Sequence, residues 1–472
     1  MLNKISNIFI VGIKGVGMAN LAQILKGMAK NVSGSDVKEE FITDKWLKKN
    51  NIFVTIGFDA HNLPKQTDLV IYSAAHGGGK NAQVHEAKKR GIKVLHQAAY
   101  IAELMRGFKT KIAVAGSHGK TTTTALMAYS LIRLNAEPTY LVGSSDFNGY
   151  PGGGFGEGKY FVFEADEYAV DPPQDKTVKF RFWQPDIILC PNVDFDHPDV
   201  YNDERQVKEE FTEFFKKASK VYLCKDDPIS LEIIKLEEIK NYQTFGYDPT
   251  SDLAIKNVKF DENGSGFELH SPDENKDYGL FNIALYGEKS VSNAAGAILA
   301  LIDLGFDPEK IKKAIQGFTG PKRRFEKKAY ENDTYLFDDY AHHPSEIEAT
   351  IKAAKNRFRN RKIIVLFQSH TYSRTAVFLD EFIAKLSLAD LSLVGPVFPS
   401  AREDPKQFNV NSLDFEKKAK EKNISNIKSF SSVADLLIVL GKNLKKGDVV
   451  FTMGAGDVYK LEADIIDLIR KL

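Results

Sequence analysis

The stretch KIAVAGSHGKTTTTALMAYSLIRL, residues 111–134, reads as a buried strand, a glycine-bounded turn and a helix that opens in threonines. That order suits a loop that cradles phosphate. Gly116 and Gly119 let backbone N–H groups approach phosphate oxygens, and Ser117, His118 and Thr122 complete the turn and the first helical residues. The helix N-terminus adds the positive end of its dipole, Lys120 can reach the outer phosphates and Thr121 can ligate Mg²⁺. The glycines stand closer together than in G-x-x-x-x-G-K-[ST], so the loop is a shortened version. A strand-to-helix turn that merely needs glycine is the plain alternative, and the ordered run of strand, glycines, Lys-Thr and helix argues against it.

A chain of 472 residues exceeds one hydrophobic core and implies about three domains. Its 64 basic and 63 acidic side chains nearly cancel, so no general field draws it to nucleic acid or an anionic membrane. The first apolar run, Ile8 to Val11, is too short for a signal sequence, and no stretch approaches the ~18 apolar residues of a membrane span. A cytoplasmic protein is expected, with no membrane insertion and no nucleic-acid partner. Cys190 and Cys224 are too few for a disulfide framework or a zinc set and read as buried apolar residues.

The fold class is α/β in three parts: a Rossmann-like domain over 1–108, a parallel-sheet domain carrying the phosphate loop over 109–317 and a second Rossmann-like domain over 318–472. In the first, strands at 7–11, 31–35, 52–56, 68–73 and 92–95 alternate with helical patterns. Gly12-Ile-Lys-Gly15-Val-Gly17 is a turn that can admit a pyrophosphate, and Asp36 ends the next strand where a carboxylate can hold a ribose or base edge. His76 to Gly79 reads as a flexible break.

In the second part, Gly149 to Gly158 reads as a surface loop. The strand 160–163 ends in Glu164-Ala-Asp-Glu167, and the strand 186–190 leads to Asn192-Val-Asp-Phe-Asp-His197. Ligands of parallel sheets gather beyond strand carboxyl ends, so both clusters are expected to share a crevice with the phosphate loop. Carboxylates beside a triphosphate call for a cation, which makes Glu164 and His197 candidate Mg²⁺ ligands, although each taken singly also fits a solvated turn. The helix 208–220 offers Phe211, Phe214 and Phe215 to the core, residues 250–285 read as β-rich, and Asn293 lies near the start of the helix 291–304.

In the third part, polar groups again follow strands: Asp338-Asp-Tyr340-Ala-His342-His-Pro344, and Gln368-Ser-His370-Thr-Tyr-Ser-Arg374. Pro344 marks a helix start, and Arg323 and Arg324 precede the first strand.

GIKGVGM with SGSD, GSHGKTTTT, EADEY, NVDFDHPD, KRRFE, DDYAHHPSE, FQSHTYSRT and GAGD, in this order, resemble the Mur ligases of peptidoglycan synthesis along nearly the whole chain. The resemblance implies ATP-dependent ligation of an amino acid or peptide to a UDP-N-acetylmuramoyl carboxylate through an acyl phosphate. The motifs of the third domain resemble members that add L-alanine; EADEY and the insert after it resemble members that add a murein tripeptide. L-alanine is favoured, because that domain chooses the amine. Carried over residue by residue, Lys120 neutralises the moving phosphoryl group, Thr121 and Glu164 hold one Mg²⁺ and His197 a second. Asn293 meets adenine, and Arg323, Arg324 and Asp338 serve the nucleotide. Gly15, Gly17 and Asp36 hold the uridine diphosphate. Glu167 meets the substrate, and Tyr340, His342, His370 and Arg374 surround the amino acid. Lys14 replaces a usual glycine, adding a phosphate contact or narrowing the site, and Lys289-Ser290 replace the usual His-Asn before the adenine helix.

Overall fold

The computed structural model describes residues 5–172, 174–196, 200–235, 239–261, 263–398 and 405–472. Their strands form three large sheets and one two-stranded ribbon. In the first domain five parallel strands run in the order Phe53–Ile56, Asn31–Asp36, Asn7–Val11, Leu69–Tyr72, Lys93–His96. The central strand, NIFIV, is buried from Ile8 onward, as a parallel sheet covered on both faces requires.

The second sheet has ten strands. Its parallel heart places Ile187–Cys190, Thr110–Val114 and Tyr160–Glu164 side by side, so their carboxyl ends open on one crevice. Antiparallel strands close both edges: Tyr150–Gly154 against Thr139–Phe147, and Leu253–Asp261, Gly264–Ser271 and Lys276–Ile283 in a meander. The third sheet runs Glu326–Glu331, Thr334–Asp339, Val449–Met453, Ile363–Phe367, Leu391–Val394, Ile427–Ser429, parallel except at its first pair. The α/β class and the three-domain build follow the sequence reading. Cys190 and Cys224 are buried and free, and Phe211, Phe214 and Phe215 are core.

Two expectations are corrected. Gly149 to Gly158 is not simply a surface loop, because Tyr150–Gly154 is a strand with Gly152 and Gly153 buried. Those glycines let the helix Val16–Gly27 of the first domain lie directly on the sheet edge. A Cβ at Gly152 would stand 1.8 Å from the Ser144 carbonyl and 2.4 Å from Asn20 Nδ2, and one at Gly153 would stand 2.0 Å from the Asn20 carbonyl. Asn20 fixes the contact by donating to the Val142 and Ser144 carbonyls, each at 2.8 Å. Gly153→Ala should therefore cost about 1–3 kcal/mol by overpacking. Differential scanning calorimetry checks it: the midpoint falls if the contact is as close as described and stays put if it is slack.

The second correction concerns His76 to Gly79, which is an ordered 3₁₀ turn within Ala75–Lys80 with positive φ at His76, Gly77 and Gly78. Gly79 N–H donates to Asp171 Oδ2 of the second domain at 2.8 Å, and a Cβ on Gly78 would stand 1.8 Å from Asp171 Oδ1. Glycine admits the neighbouring domain here rather than loosening the chain. Trp183 Nε1 adds a third tie, donating to the Ala98 carbonyl at 3.0 Å. The helix expected at 208–220 is Glu204–Phe215, started by Asp203, whose side chain accepts from Gln206 N–H.

Candidate active site

The helix Lys120–Arg133 is preceded by Gly119 at φ 80°, and no side chain among the described residues caps it. Its first N–H groups are thus left for a ligand, the arrangement that suits phosphate. The loop is braced by the strand end beside it. Asn192 accepts from His118 N–H and donates to the His118 carbonyl, both at 2.8 Å. Ser117 Oγ donates to the Asp194 carbonyl at 2.8 Å and accepts Asp194 N–H at 2.7 Å. NVD therefore shapes the phosphate loop, a role its sequence did not announce.

Lys120 Nζ lies 2.8 Å from Glu167 Oε2 and donates to the Gly116 carbonyl at 2.6 Å. Burial, which alone would lower its pKa, is outweighed by Glu167, Asp166 and Glu164, and the ammonium is held above its ordinary range. Thr121 Oγ1 donates to Glu164 Oε1 at 3.1 Å, and Glu164 Oε2 accepts Gly143 N–H at 2.8 Å. Burial raises the Glu164 pKa against the pull of Lys120 and Thr121. A hydroxyl and a carboxylate converging in this way are hard oxygen donors that fit Mg²⁺. His197 lies outside the described residues.

Beside the loop is a cavity of about 790 Å³, a size that suits a nucleotide. His118, Gly119, Thr122, Lys289, Ser290 and Asn293 line it from the second domain, and Arg324, Ser345 and Glu346 from the third. Asn293 approaches the loop so closely that a Cβ at Gly119 would stand 2.6 Å from its Nδ2. The two arginines of KRRFE part company. Arg324 faces the cavity, whereas Arg323 pairs with Asp338 at 2.9 Å, donates to the Gly454 carbonyl at 2.8 Å and lies over the Tyr459 ring. Asp338 is buried and also accepts from Thr452 Oγ1 at 2.8 Å.

The third domain meets the phosphate loop through the start of the helix Pro344–Arg357, capped by His343. The His118 and His343 rings stack with centroids 4.6 Å apart. The Ser345 hydroxyl sits between them, 2.9 Å from His118 Nε2 and 2.7 Å from His343 Nδ1. Asp194 Oδ2 completes the group at 3.3 Å from His118 Nε2. Burial lowers the His118 pKa, but Asp194 and Glu346 more than reverse it and raise it to about 9. His343 is pushed down to about 4 by burial and by its charged neighbour. Because His118 binds its proton more tightly folded than unfolded, its contribution is complete below about pH 6.5 and disappears as pH rises through about 9. Protease sensitivity at the junction of the second and third domains should rise over that interval; a flat profile would contradict it.

The groups assigned to the amino acid fall into two sets. Tyr340 lies against Arg323 and Arg324, and His342 stands edge-on to Tyr340 at 5.3 Å. Arg374, buried in the first turn of Tyr372–Leu386, places Nη2 2.8 Å from Asp196 Oδ1, and His370 stacks on Phe398. In the first domain, Gly15 caps the helix Val16–Gly27, and a Cβ at Gly17 would stand 2.7 Å from Gln97 Nε2. Asp36 is buried and accepts Lys14 N–H at 2.6 Å and Val37 N–H at 2.8 Å, with His76 Nε2 3.3 Å away. The Lys14 ammonium turns to the Glu39 carbonyl at 2.8 Å and Asp44 at 3.6 Å, anchoring the 39–44 segment.

Three nucleotide-ligase features in succession, a glycine turn at one sheet, a phosphate loop with Thr121 and Glu164 at the next and a third α/β domain closing the cavity, define the class, and the chain belongs to the Mur ligase family. It matches the "Mur ligase family, catalytic domain" over residues 7–109, the "Mur ligase middle domain" over 114–301 and the "Mur ligase, glutamate ligase domain" over 323–456. The UDP-N-acetylmuramate–L-alanine ligase of Caldanaerobacter subterraneus subsp. tengcongensis is 34% identical, the match covering 100% of this chain and 99% of that one. The enzyme of the same name from Limosilactobacillus reuteri is also 34% identical, over 98% and 99%. Among solved structures, a UDP-N-acetylmuramate-alanine ligase from Thermotoga maritima shares the fold with a TM-score of 0.79 at 24% identity, covering 98% of this chain and 99% of that one. A murein peptide ligase from Psychrobacter arcticus does so with 0.74 at 24% identity, covering 99% of each.

Proposed function

We propose that the protein joins L-alanine to the lactyl carboxylate of UDP-N-acetylmuramate with ATP, releasing ADP and phosphate, as a step of peptidoglycan precursor synthesis. The observation that carries the reading is the meeting of Lys120, Thr121 and Glu164 at adjoining strand ends, beside a cavity closed by the third domain. Full-length similarity to L-alanine ligases names the amine.

A carboxylate oxygen of the muramyl group attacks the γ-phosphorus and ADP leaves. The L-alanine amine then adds to the acyl carbon, loses a proton, and the tetrahedral intermediate expels phosphate. Lys120 offsets charge on the moving phosphoryl group, and the open N–H groups of the 120–122 turn hold the phosphates. Thr121 and Glu164 would hold one Mg²⁺ and His197 a second; the metal supplies charge neutralisation across the phosphates. Asn293 and Arg324 orient the nucleotide, with Arg323 and Asp338 setting the strand behind them. Gly15, Gly17 and Asp36 take the uridine diphosphate, Glu167 meets the substrate beside Lys120, and Tyr340, His342, His370 and Arg374 receive the amino acid. Domain boundaries near 108 and 317 divide these tasks. Among the described residues no helix is long and apolar enough to cross a membrane, and a cytoplasmic site of action accords with nucleotide substrates.

A panel of amine acceptors tests the reading. ADP release should depend on UDP-N-acetylmuramate and be fastest with L-alanine, ahead of glycine and L-serine. Preference for L-alanyl-γ-D-glutamyl-diaminopimelate would overturn the choice of amine. Tight binding of both nucleotides with no turnover on any amine would overturn the enzyme.

A further inference from the structure

We propose that Glu346 is a positioning residue for nucleotide turnover, one carboxylate that aligns the phosphate loop through His118 and the cavity arginine Arg324 and ties both to His342. The inference rests on the ligase reading only for its kinetic readout.

Glu346 has an ordinary structural duty, and its geometry exceeds that duty. It is the third residue of the helix Pro344–Arg357 and closes a capping box with His343. That box uses Oε2, which accepts the backbone N–H of His342 at 3.0 Å and of His343 at 3.4 Å. Oε1 faces the other way. It lies 3.2 Å from Arg324 Nη1 and 3.6 Å from His118 Nδ1, the latter in ion-pair range but beyond a hydrogen bond. The His342 ring nitrogen Nδ1 stands 3.1 Å from Oε2. One half-buried carboxylate thus approaches a residue of the phosphate loop, an arginine of the cavity wall and a residue assigned to the amino acid.

Burial opposes ionisation of Glu346, but His342, Arg324 and His118 overcome it and hold the carboxyl well below its usual range. The side chain therefore stays charged. Arg324 and His118 come from different domains, so the charge they share acts as a pin between the phosphate loop and the domain that closes over it. Without it the buried His118 and the half-buried Arg324 would lose the carboxylate they share, and each would drift from the nucleotide.

Glutamine separates the two duties, since Gln also serves at the third position of a capping box. Glu346→Gln keeps the acceptor for the His342 N–H and removes the charge. The expected result is a KM for ATP raised at least about tenfold, a comparable loss in kcat and a KM for UDP-N-acetylmuramate within about twofold of the parent. The thermal midpoint should shift by no more than a few degrees, whereas Glu346→Ala, which loses the cap as well, should fall further. ATP kinetics unchanged in Glu346→Gln would overturn the proposal and leave the residue as a cap. So would a glutamine variant that loses stability and all kinetic parameters together. Should the parent show no turnover on any amine, the ligase reading fails; weaker ATP binding by the glutamine variant in calorimetry would still uphold the role, and unchanged binding would end it.

Discussion

Lys120→Ala is expected to abolish ligation while leaving UDP-N-acetylmuramate bound. Lys120 is an ammonium drawn into the loop between Gly116 and Glu167, and three carboxylates, Glu167, Asp166 and Glu164, hold it charged. Phosphoryl transfer depends on positioning and charge stabilisation more than on covalent help, and losing a cation from that position typically costs about 10³-fold or more in kcat. The uridine site assigned to Gly15, Gly17 and Asp36 belongs to another sheet, whose contacts with the second domain include Asn20, Lys45, Gly79 and Trp183. Isothermal titration with the sugar nucleotide, beside an ADP-release assay, checks both halves. Joint loss of binding and turnover in a folded variant would show that the two domains do not divide the work.

The second large effect is expected at Arg374. Its Nη2 pairs with Asp196, yet Nε, also buried, has no hydrogen-bond partner among the described residues. A buried donor without an acceptor costs free energy, and a substrate carboxylate would satisfy it. Arg374→Lys can keep the pair with Asp196 but has no second fork nitrogen. The KM for L-alanine should rise about 10–100-fold, with the KM for ATP nearly unchanged. Steady-state kinetics with each substrate varied in turn gives the answer. An unchanged KM for L-alanine would assign Arg374 to holding Asp196 and the third domain alone.

What could be read from the sequence was what local chemistry dictates. Buried apolar runs such as NIFIV and IILC became strands, and the glycine-bounded loop before Lys120 became a helix N-terminus. The polar Glu326–Glu331 strand escaped notice because an antiparallel edge needs no apolar run. Gly152 and Gly153 misled for a related reason. Their meaning lies in Asn20, which is more than a hundred residues away along the chain and invisible to any local pattern. The site divides in the same way. Lys120, Thr121 and Glu164 were legible because strand order alone brings them together. The bracing of the loop by Asn192 depends on side-chain pairing between two neighbouring strand ends, while the pairing of Arg374 with Asp196 and the double duty of Glu346 depend on how the third domain docks, which no spacing in the chain encodes.

The central claim is that ATP activates the muramyl carboxylate as an acyl phosphate before the amine arrives. UDP-N-acetylmuramate labelled with ¹⁸O in both carboxylate oxygens, turned over with ATP and L-alanine, tests it most directly. One labelled oxygen should appear in each phosphate released, because the bond formed to phosphorus is the one that later leaves with it. Phosphate free of label, with the product amide formed, would contradict the account.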